Sequence, residues 1–487
     1  MIPYQDYLRI LPELIFTAFG ILIMVLEPAL PEYGSRKTSG LIAFAGCCAA
    51  LAASFLQGGW QGEAFFGMVR VDAFSIFFHA LIAIIAGLVV LASLDYLDAQ
   101  QIHAGEYYAL ILFGSAGMAL MSSAVELVLI FIALEISSIS TYVLAGFRRR
   151  VAISAEASIK YFLLGSFATA FFLYGVALVF GSTGTTYTDA IAAAMPGNGE
   201  PLIYVAVALM FVGIGFKVAA APFHIWTPDV YQGSPAPVVA LMSTGPKAAA
   251  FAVLLRVLFG AGLPGWFWVA WILAALSMTI GNLAALVQTN VKRLLAYSSI
   301  AHAGYLLVAF CAASSGIGAA IFYTAAYAAM NVGAFAIVSH FGSVGERYVT
   351  VEDYAGLGRK QPLLAACFTL LLLSLIGIPV TGGFFAKFYV FSAALNANLL
   401  GLTLIGVINS AIAAYYYLRI IVVMYMRDDD RAHSPAAPVP LSLAVALVIS
   451  IGLTIYLGVQ PNAVLNAAGQ GASALVHPAP PTRASLR

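Results

Sequence analysis

Apolar positions along this chain come in long runs, each near the roughly 20 residues a helix needs to cross a bilayer. Fourteen runs meet that ruler, at about 10–30, 38–57, 72–94, 106–123, 125–146, 156–180, 201–229, 236–260, 266–289, 294–312, 317–341, 362–396, 401–426 and 440–460. The polar connections between them are mostly short. The pattern predicts an all-α polytopic membrane protein of about 14 transmembrane helices, with no separate soluble domain.

Two runs carry proline at mid-depth. The seventh reads FVGIGFKVAAAPFHIWTPDVY, with Pro222 near its middle; the twelfth reads LLLSLIGIPVTGGFFAKFYVF, with Pro379 followed by Gly382 and Gly383. Proline removes a backbone donor and clashes with the preceding turn, so each helix is expected to break into two halves. A plain packing kink is the blander reading, since Pro and Gly are frequent in spanning helices. The placement favours the sharper one. The two breaks lie five spans apart, an odd offset that puts the broken helices in opposite orientations, as an inverted five-helix repeat would. The expected organisation is a three-helix segment 1–104, a first repeat 105–262 (spans 4–8), a second, inverted repeat 263–428 (spans 9–13), and a last span with tail, 429–487.

Composition narrows the class. Hydrophobic residues make up 62% of the 487 positions and charged residues only 9%, with a net charge of +1. Soluble domains carry about 25% charged residues, so a polar shell cannot be built. A disordered chain, a nucleic-acid binder and a charged interaction tail are excluded. Cys47, Cys48, Cys311 and Cys367 lack metal or cluster spacing and sit in apolar runs, where thiols act as small hydrophobes. No phosphate loop, dinucleotide fingerprint or HExxH is present, so redox or nucleotide chemistry would belong to another chain. The first apolar run is expected to span, because no small-residue cleavage site follows it.

The basic residues divide three ways. With the N-terminus outside, inside loops hold twelve: Arg36, Lys37, Arg148, Arg149, Arg150, Lys292, Arg293, Arg347, Arg359, Lys360, Arg427 and Arg431. Outside segments hold four, Arg9, Arg70, Arg483 and Arg487. That bias places both termini outside. Six remain within spans: Lys160, Lys217, Lys247, Arg256, Lys387 and Arg419.

An ionisable group at mid-bilayer costs about 2.5–3.5 kcal/mol on insertion scales. One could snorkel to the interface; a set on different helices reads as a proton or ion path. Lys217, Lys247, Lys387 and Glu135 form such a set. Burial disfavours a charged lysine and a nearby carboxylate favours it, so a lysine between those influences can load and release a proton. Glu135 would partner Lys217 if spans 5 and 7 are neighbours. Glu156 and Lys160 stand at i, i+4 in the favourable order, and a local ion pair explains them as well as a path does. His224 and His302 could bridge the lysines or be satisfied core histidines, as His79 is expected to be. Tyr297 and Tyr305 flank His302; Ser243, Thr244, Ser298 and Ser299 add hydroxyls that equally serve as helix-packing groups. Arg256 and Arg419 lie toward span ends and either belong to the path or simply anchor or pair. Gly114 and Gly117 suit packing, and the acidic run Asp428 to Asp430 a solvated inside loop.

The opening LPELIFTAFGILIMVLEP, the stretch FKVAAAPFHIWTPDVYQGSPAPVVALMSTGPKAAAF, VKRLLAYSSIAHAGYLL and GIPVTGGFFAKFYVF resemble the antiporter-like membrane subunits of proton-pumping NADH–quinone oxidoreductase, respiratory complex I. The opening segment and AYSSIAHAGY point to the subunit N branch, whose mitochondrial counterpart is NADH dehydrogenase subunit 2. The resemblance covers essentially the whole chain. It implies one proton channel built from two inverted five-helix bundles. The family's fifth-span glutamate matches Glu135, its sixth-, seventh-, eighth- and twelfth-span lysines match Lys160, Lys217, Lys247 and Lys387, and its bridging histidine matches His224. It also implies a bacterial inner (plasma) membrane location and partnership with other membrane and peripheral subunits. NADH, FMN, iron–sulfur clusters and quinone would be held on those other subunits, with none bound here. Two other readings stay open: a cation/proton antiporter subunit or a subunit of a hydrogenase-type complex, and a scaffold with vestigial charges.

Overall fold

A computed structural model describes residues 3–31, 34–194, 201–342, 346, 348–428 and 438–476. Arg347, Arg431, Arg483, Arg487, Asp429 and Asp430, used above for orientation and for the acidic loop, lie outside the described residues.

The chain opens with α1 (Tyr4–Arg9), α2 (Leu11–Leu26), α3 (Lys37–Leu56) and α4 (Ala73–Ala99), with a hairpin of β1 (Gly62–Ala64) and β2 (Val69–Val71) between the last two. A first helical group follows: α5 (Glu106–Ser123), α6 (Leu127–Ala145), α7 (Ala152–Thr183), the short α8 (Thr188–Ala194), α9 (Pro201–Val218), α10 (Thr227–Gly233) and α11 (Ala236–Gly260). The second group is α12 (Trp266–Leu286), α13 (Val291–Cys311), α14 (Ile317–Gly342), α15 (Leu357–Lys360), α16 (Pro362–Ile376), α17 (Gly382–Asn396) and α18 (Leu400–Met426), after which come α19 (Leu441–Val459) and α20 (Asn462–Val476).

Helix occupies every one of the fourteen apolar runs, but only 12 helices among the described residues are long and apolar enough to cross a membrane unaided. The shortfall has two physical causes. Helix α5 begins Glu106, Tyr107, Tyr108 and is punctuated by Gly114, Ser115 and Gly117, which dilutes its apolarity. Gly117 serves packing: a Cβ there would meet the Ala133 carbonyl of α6 at 2.8 Å. The twelfth run is split into α16 and α17, 15 residues each.

Packing repeats between the groups. Helix α5 packs on α6 as α12 packs on α13; α7 lies along α9 as α14 lies along α16 and α17; α11 closes the first group against α5 and α6 as α18 closes the second against α12 and α13. The groups meet along α11 and α14, which with α13 form an almost wholly buried axis. Outer helices turn large apolar side chains outward, among them Phe162 and Phe167 of α7 and Leu404 and Ile408 of α18, as a lipid-facing surface requires.

Both proline breaks use one backbone device. In α9 the amide of Ala220 donates to Gly215 and that of Ala219 to Phe216; in α16 the amide of Ile378 donates to Leu373 and that of Gly377 to Ser374. These paired bonds end a helix through a left-handed residue: Ala219 at φ 59° and Gly377 at φ 94°. Pro222 and Pro379 follow within three residues, where a helix cannot resume. Val380 is left-handed too, at φ 73°, a strained conformation for a β-branched residue that surrounding structure must hold.

Candidate functional site

Lys217 is the penultimate residue of α9, one turn before the break, and its side chain is buried. Its Nζ has no hydrogen-bond partner in the structure. Instead it lies 5.1 Å from the ring centroid of Tyr142 and 5.4 Å from that of Tyr161, and the aromatic faces supply the attraction. Glu135 is within electrostatic reach of Lys217 but not in ion-pair contact. Helix α7 packs against both α6 and α9, and it is Tyr142 of α6, not Glu135, that reaches the Lys217 ammonium. Glu135 is half-buried beside exposed Ile132, Ile136 and Ile139, and its Oε1 is buried without a partner.

His224 lies in the turn between α9 and α10, half-buried, its Nδ1 also unpartnered. The break removes the helical register that would have stacked it above Lys217. Trp226, two residues on, ties that turn back to α9 by donating from its Nε1 to the Phe216 carbonyl at 3.1 Å, and its ring stacks on Tyr161 at 4.4 Å.

Lys247, mid-way along α11, donates to the Ser299 carbonyl at 2.7 Å and to the Ser299 hydroxyl at 2.6 Å. The Tyr327 ring is 5.8 Å away. From there hydroxyls and aromatic rings lead onward. Tyr327 lies 4.9 Å from the His302 ring; His302 Nδ1 is 2.6 Å from the Tyr323 hydroxyl and its Nε2 3.5 Å from that of Tyr417; Tyr417 also hydrogen-bonds Ser298. His302 is within electrostatic reach of both Lys247 and Lys387. Tyr305 stands 5.7 Å from His302 and 4.9 Å from Lys387 Nζ. Tyr297 does not join them: it lies 6.0 Å from the Arg293 guanidinium. Ser243 accepts from Asn331 at 2.7 Å, while Thr244 bonds its own helix at Ala240.

Lys387, in α17, is buried and hydrogen-bonded three ways: to the carbonyls of Leu375 (3.2 Å) and Ile376 (2.8 Å), and to the Ser410 hydroxyl (2.8 Å). Those are the last carbonyls of α16, left over once Gly377 and Ile378 have bonded further back. A cation there also meets the negative end of the helix dipole.

Of the remaining candidates, Lys160, Glu156 and Arg256 are ion-paired. Lys160 is partly exposed and contacts Glu156 at 2.7 Å and Asp229 at 2.8 Å; Asp229 also takes Arg293 at 2.6 Å. Among the described residues no hydrogen bond joins this cluster to Lys217, Lys247 or Lys387. Arg256 is clamped to both Asp72 oxygens, at 3.0 and 2.9 Å, and donates to Ser122 at 2.8 Å, which makes it an anchor between α4 and α11. Arg419 donates to the Gln288 carbonyl at 3.3 Å. His79 is buried between Gln57 Oε1 at 2.8 Å and the Ala119 carbonyl at 3.2 Å, with Glu13 3.3 Å away, a carboxylate that sequence reasoning did not connect to it. Arg148 and Lys292, counted above as loop charges, are buried and share Glu346, which sequence reasoning passed over. Asp428 pairs with Arg359 at 2.5 Å.

Comparison with known proteins follows the same lines. Residues 124–413 match the family described as NADH:quinone oxidoreductase/Mrp antiporter, TM. NADH-quinone oxidoreductase subunit N 2 of Koribacter versatilis is 64% identical over 485 residues, covering 98% of each chain. A chain of respiratory complex I from Thermus thermophilus with bound aureothin superposes with a TM-score of 0.81 at 39% identity, over 94% of this chain and 100% of that one. A chain of the Mrp complex from Dietzia reaches a TM-score of 0.86 over 97% and 98% of the two chains, at 22% identity, a likeness of fold alone.

Proposed function

The chain belongs to the NADH:quinone oxidoreductase/Mrp antiporter membrane family, in its subunit N branch, and from that premise we propose that its protons pass along Lys217, Lys247, His302 and Lys387. It is a multi-pass, proton-translocating membrane subunit of NADH–quinone oxidoreductase, and its partners are the other subunits of that complex. The antiporter alternative is supported by fold alone.

One observation supports the path above the rest. Arg256, Lys292, Lys160 and Arg148 each have a carboxylate within 4 Å, whereas Lys217, Lys247 and Lys387 have none among the described residues. A buried cation without a counter-ion is costly, and intramembrane groups of that kind are kept for ion and proton movement. Glu135 would modulate Lys217 from beyond ion-pair contact, and His224 would connect Lys217 toward Lys247. Lys160 and Glu156 would feed the path from the basic end of the bundle. Arg256 and Arg419 hold helices in place.

The inverted halves divide at 105–262 and 263–428, a reading supported by the matched packing of the two groups and the shared device at their breaks. The basic loops face the cytoplasm and both termini the outer side of a bacterial inner membrane. NADH, FMN, iron–sulfur clusters and quinone act on other subunits, and this chain responds to quinone reduction through the conformation and charge of its neighbours. The test is Lys217→Ala in the assembled complex, with NADH-driven proton uptake measured in membrane vesicles. Uptake should fall; unchanged uptake together with unchanged quinone reductase activity would remove the path.

A further inference from the structure

A carboxylate with three hydrogen bonds and a second ion pair lies outside the lysine line. Glu346 follows α14, is buried, and meets four groups from four places in the sequence, three as hydrogen bonds and one as an ion pair. Its Oε1 accepts from the Tyr96 hydroxyl of α4 at 2.7 Å and from the amide of Ala236 at 3.0 Å. Its Oε2 accepts from Lys292 of α13 at 2.5 Å and meets Arg148, between α6 and α7, at 3.1 Å.

Both cations reach further. Lys292 also donates to the Ser234 carbonyl at 2.8 Å, and Arg148 to the Gly233 carbonyl at 3.2 Å. Gly233 ends α10 and Ala236 begins α11. Two cations therefore sit at the carbonyl end of one helix and one anion at the amide end of the next, the arrangement that the backbone dipoles of both favour. The junction Ser234–Pro235 is gripped from both sides. Glu346 itself is held at φ 49°, a left-handed conformation that a non-glycine residue keeps only where its surroundings impose it.

The gripped junction separates the two lysine-bearing segments of the first repeat. Helix α10 leads back through the His224 turn to Lys217, and α11 carries Lys247 eleven positions beyond Ala236. We propose that Glu346, with Lys292 and Arg148, is a positioning residue for proton transfer between Lys217 and Lys247: it fixes α10 against α11 and so sets the spacing across which the proton moves. The proposal rests on the reading of the buried lysines as a path. Glu346 is not a carrier in it. Burial pushes its carboxyl up, but Lys292 and Arg148 together hold it below the ordinary carboxylate range. It stays ionised at working pH, and its grip is lost only as pH falls through that depressed value.

The experiment compares Glu346→Gln, Glu346→Asp and Lys217→Ala in assembled complex in inside-out vesicles, reading protons taken up per NADH oxidised. NADH oxidation by an artificial acceptor and the amount of subunit in the membrane serve as measures of assembly. Glu346→Gln keeps the size but leaves two cations unneutralised, so the ratio should fall by about half or more; Glu346→Asp keeps the charge and should recover most of it. A normal ratio in Glu346→Gln, or an aspartate no better than glutamine in equally assembled complex, would overturn the proposal. Should Glu346→Gln not assemble, Lys292→Gln decides: a lowered ratio supports the clamp and a normal one overturns it. Lys217→Ala separates the two claims. If it blocks uptake while Glu346→Gln does not, the clamp alone falls; if it too pumps normally, the path falls with it.

Discussion

The two broken helices start from the same backbone solution and end in different chemistry. Each closes its first half with a left-handed residue and paired back-bonds, and each has a lysine nearby. In the second break, Lys387 takes the carbonyls of Leu375 and Ile376, so the ammonium replaces the donors that an unbroken helix would have supplied. In the first, Lys217 precedes the break, no carbonyl or carboxylate receives its Nζ, and two tyrosine rings surround it. Trp226 covers the Phe216 carbonyl instead. Lys387 is bonded into the backbone at its site, while Lys217 meets only ring faces, and the proposed path asks both to pass a proton from these unlike settings. The difference teaches that layout alone does not assign a role to a buried lysine; the partners of its nitrogen do.

The largest expected effect that could break this comparison is on stability. Lys387→Met leaves two carbonyls unsatisfied within the bundle, at about 1–3 kcal/mol each. The detergent-solubilised complex should lose a corresponding amount of thermal stability. Lys217→Met removes an unpartnered ammonium and should leave stability unchanged or raised. Equal losses in thermal melts of the two variants would erase the distinction.

Arginine sharpens it. A guanidinium can reach carbonyl oxygens but does not release its proton in proteins. Lys387→Arg should therefore retain most of the stability that Lys387→Met loses. Lys217→Arg should assemble and yet lose proton uptake as fully as Lys217→Ala; uptake retained by Lys217→Arg would show that only charge is needed there.

Backbone strain gives a smaller effect. Val380→Gly relieves a left-handed β-branched residue worth about 1–3 kcal/mol, partly offset by the greater freedom of an unfolded glycine, about 0.5–1 kcal/mol. A net gain of about 1 kcal/mol is expected in thermal unfolding. Ala219→Gly should gain less, because alanine carries the smaller penalty; a larger gain at Ala219 would mean that the first break is the more strained.

The smallest effect concerns the ring over Lys217. Tyr142 has a buried hydroxyl without a hydrogen-bond partner, so Tyr142→Phe should change stability and uptake little. Tyr142→Leu removes a cation–π contact worth about 0.5–2 kcal/mol, and proton uptake should respond. Equal behaviour of the two variants would show that the ring face does not matter to the lysine.

Hydropathy and two prolines made the spans and breaks legible, because each is a local property of the chain. The buried lysines were legible for the same reason: an ionisable residue within an apolar run stands out without any partner being known. Their partners were not. Arg256 finds Asp72 from 184 positions away, and Glu346 collects Tyr96 and Arg148 from 250 and 198 positions away; no spacing rule carries such pairings. Glu156 was legible as a partner of Lys160 from their i, i+4 spacing, but Asp229, visible only once α7 and α10 are packed, was not. Nothing in their spacing sets Tyr142, Tyr161 and Tyr327 apart, and their faces meet lysines only in the folded bundle.

The most direct test of the central claim is proton uptake driven by NADH in inside-out vesicles carrying Lys217→Ala, normalised to assembled complex and to electron flux. The account predicts uptake well below that of the unsubstituted complex, with the subunit present in normal amount. Uptake and quinone reduction both at the unsubstituted level would contradict it.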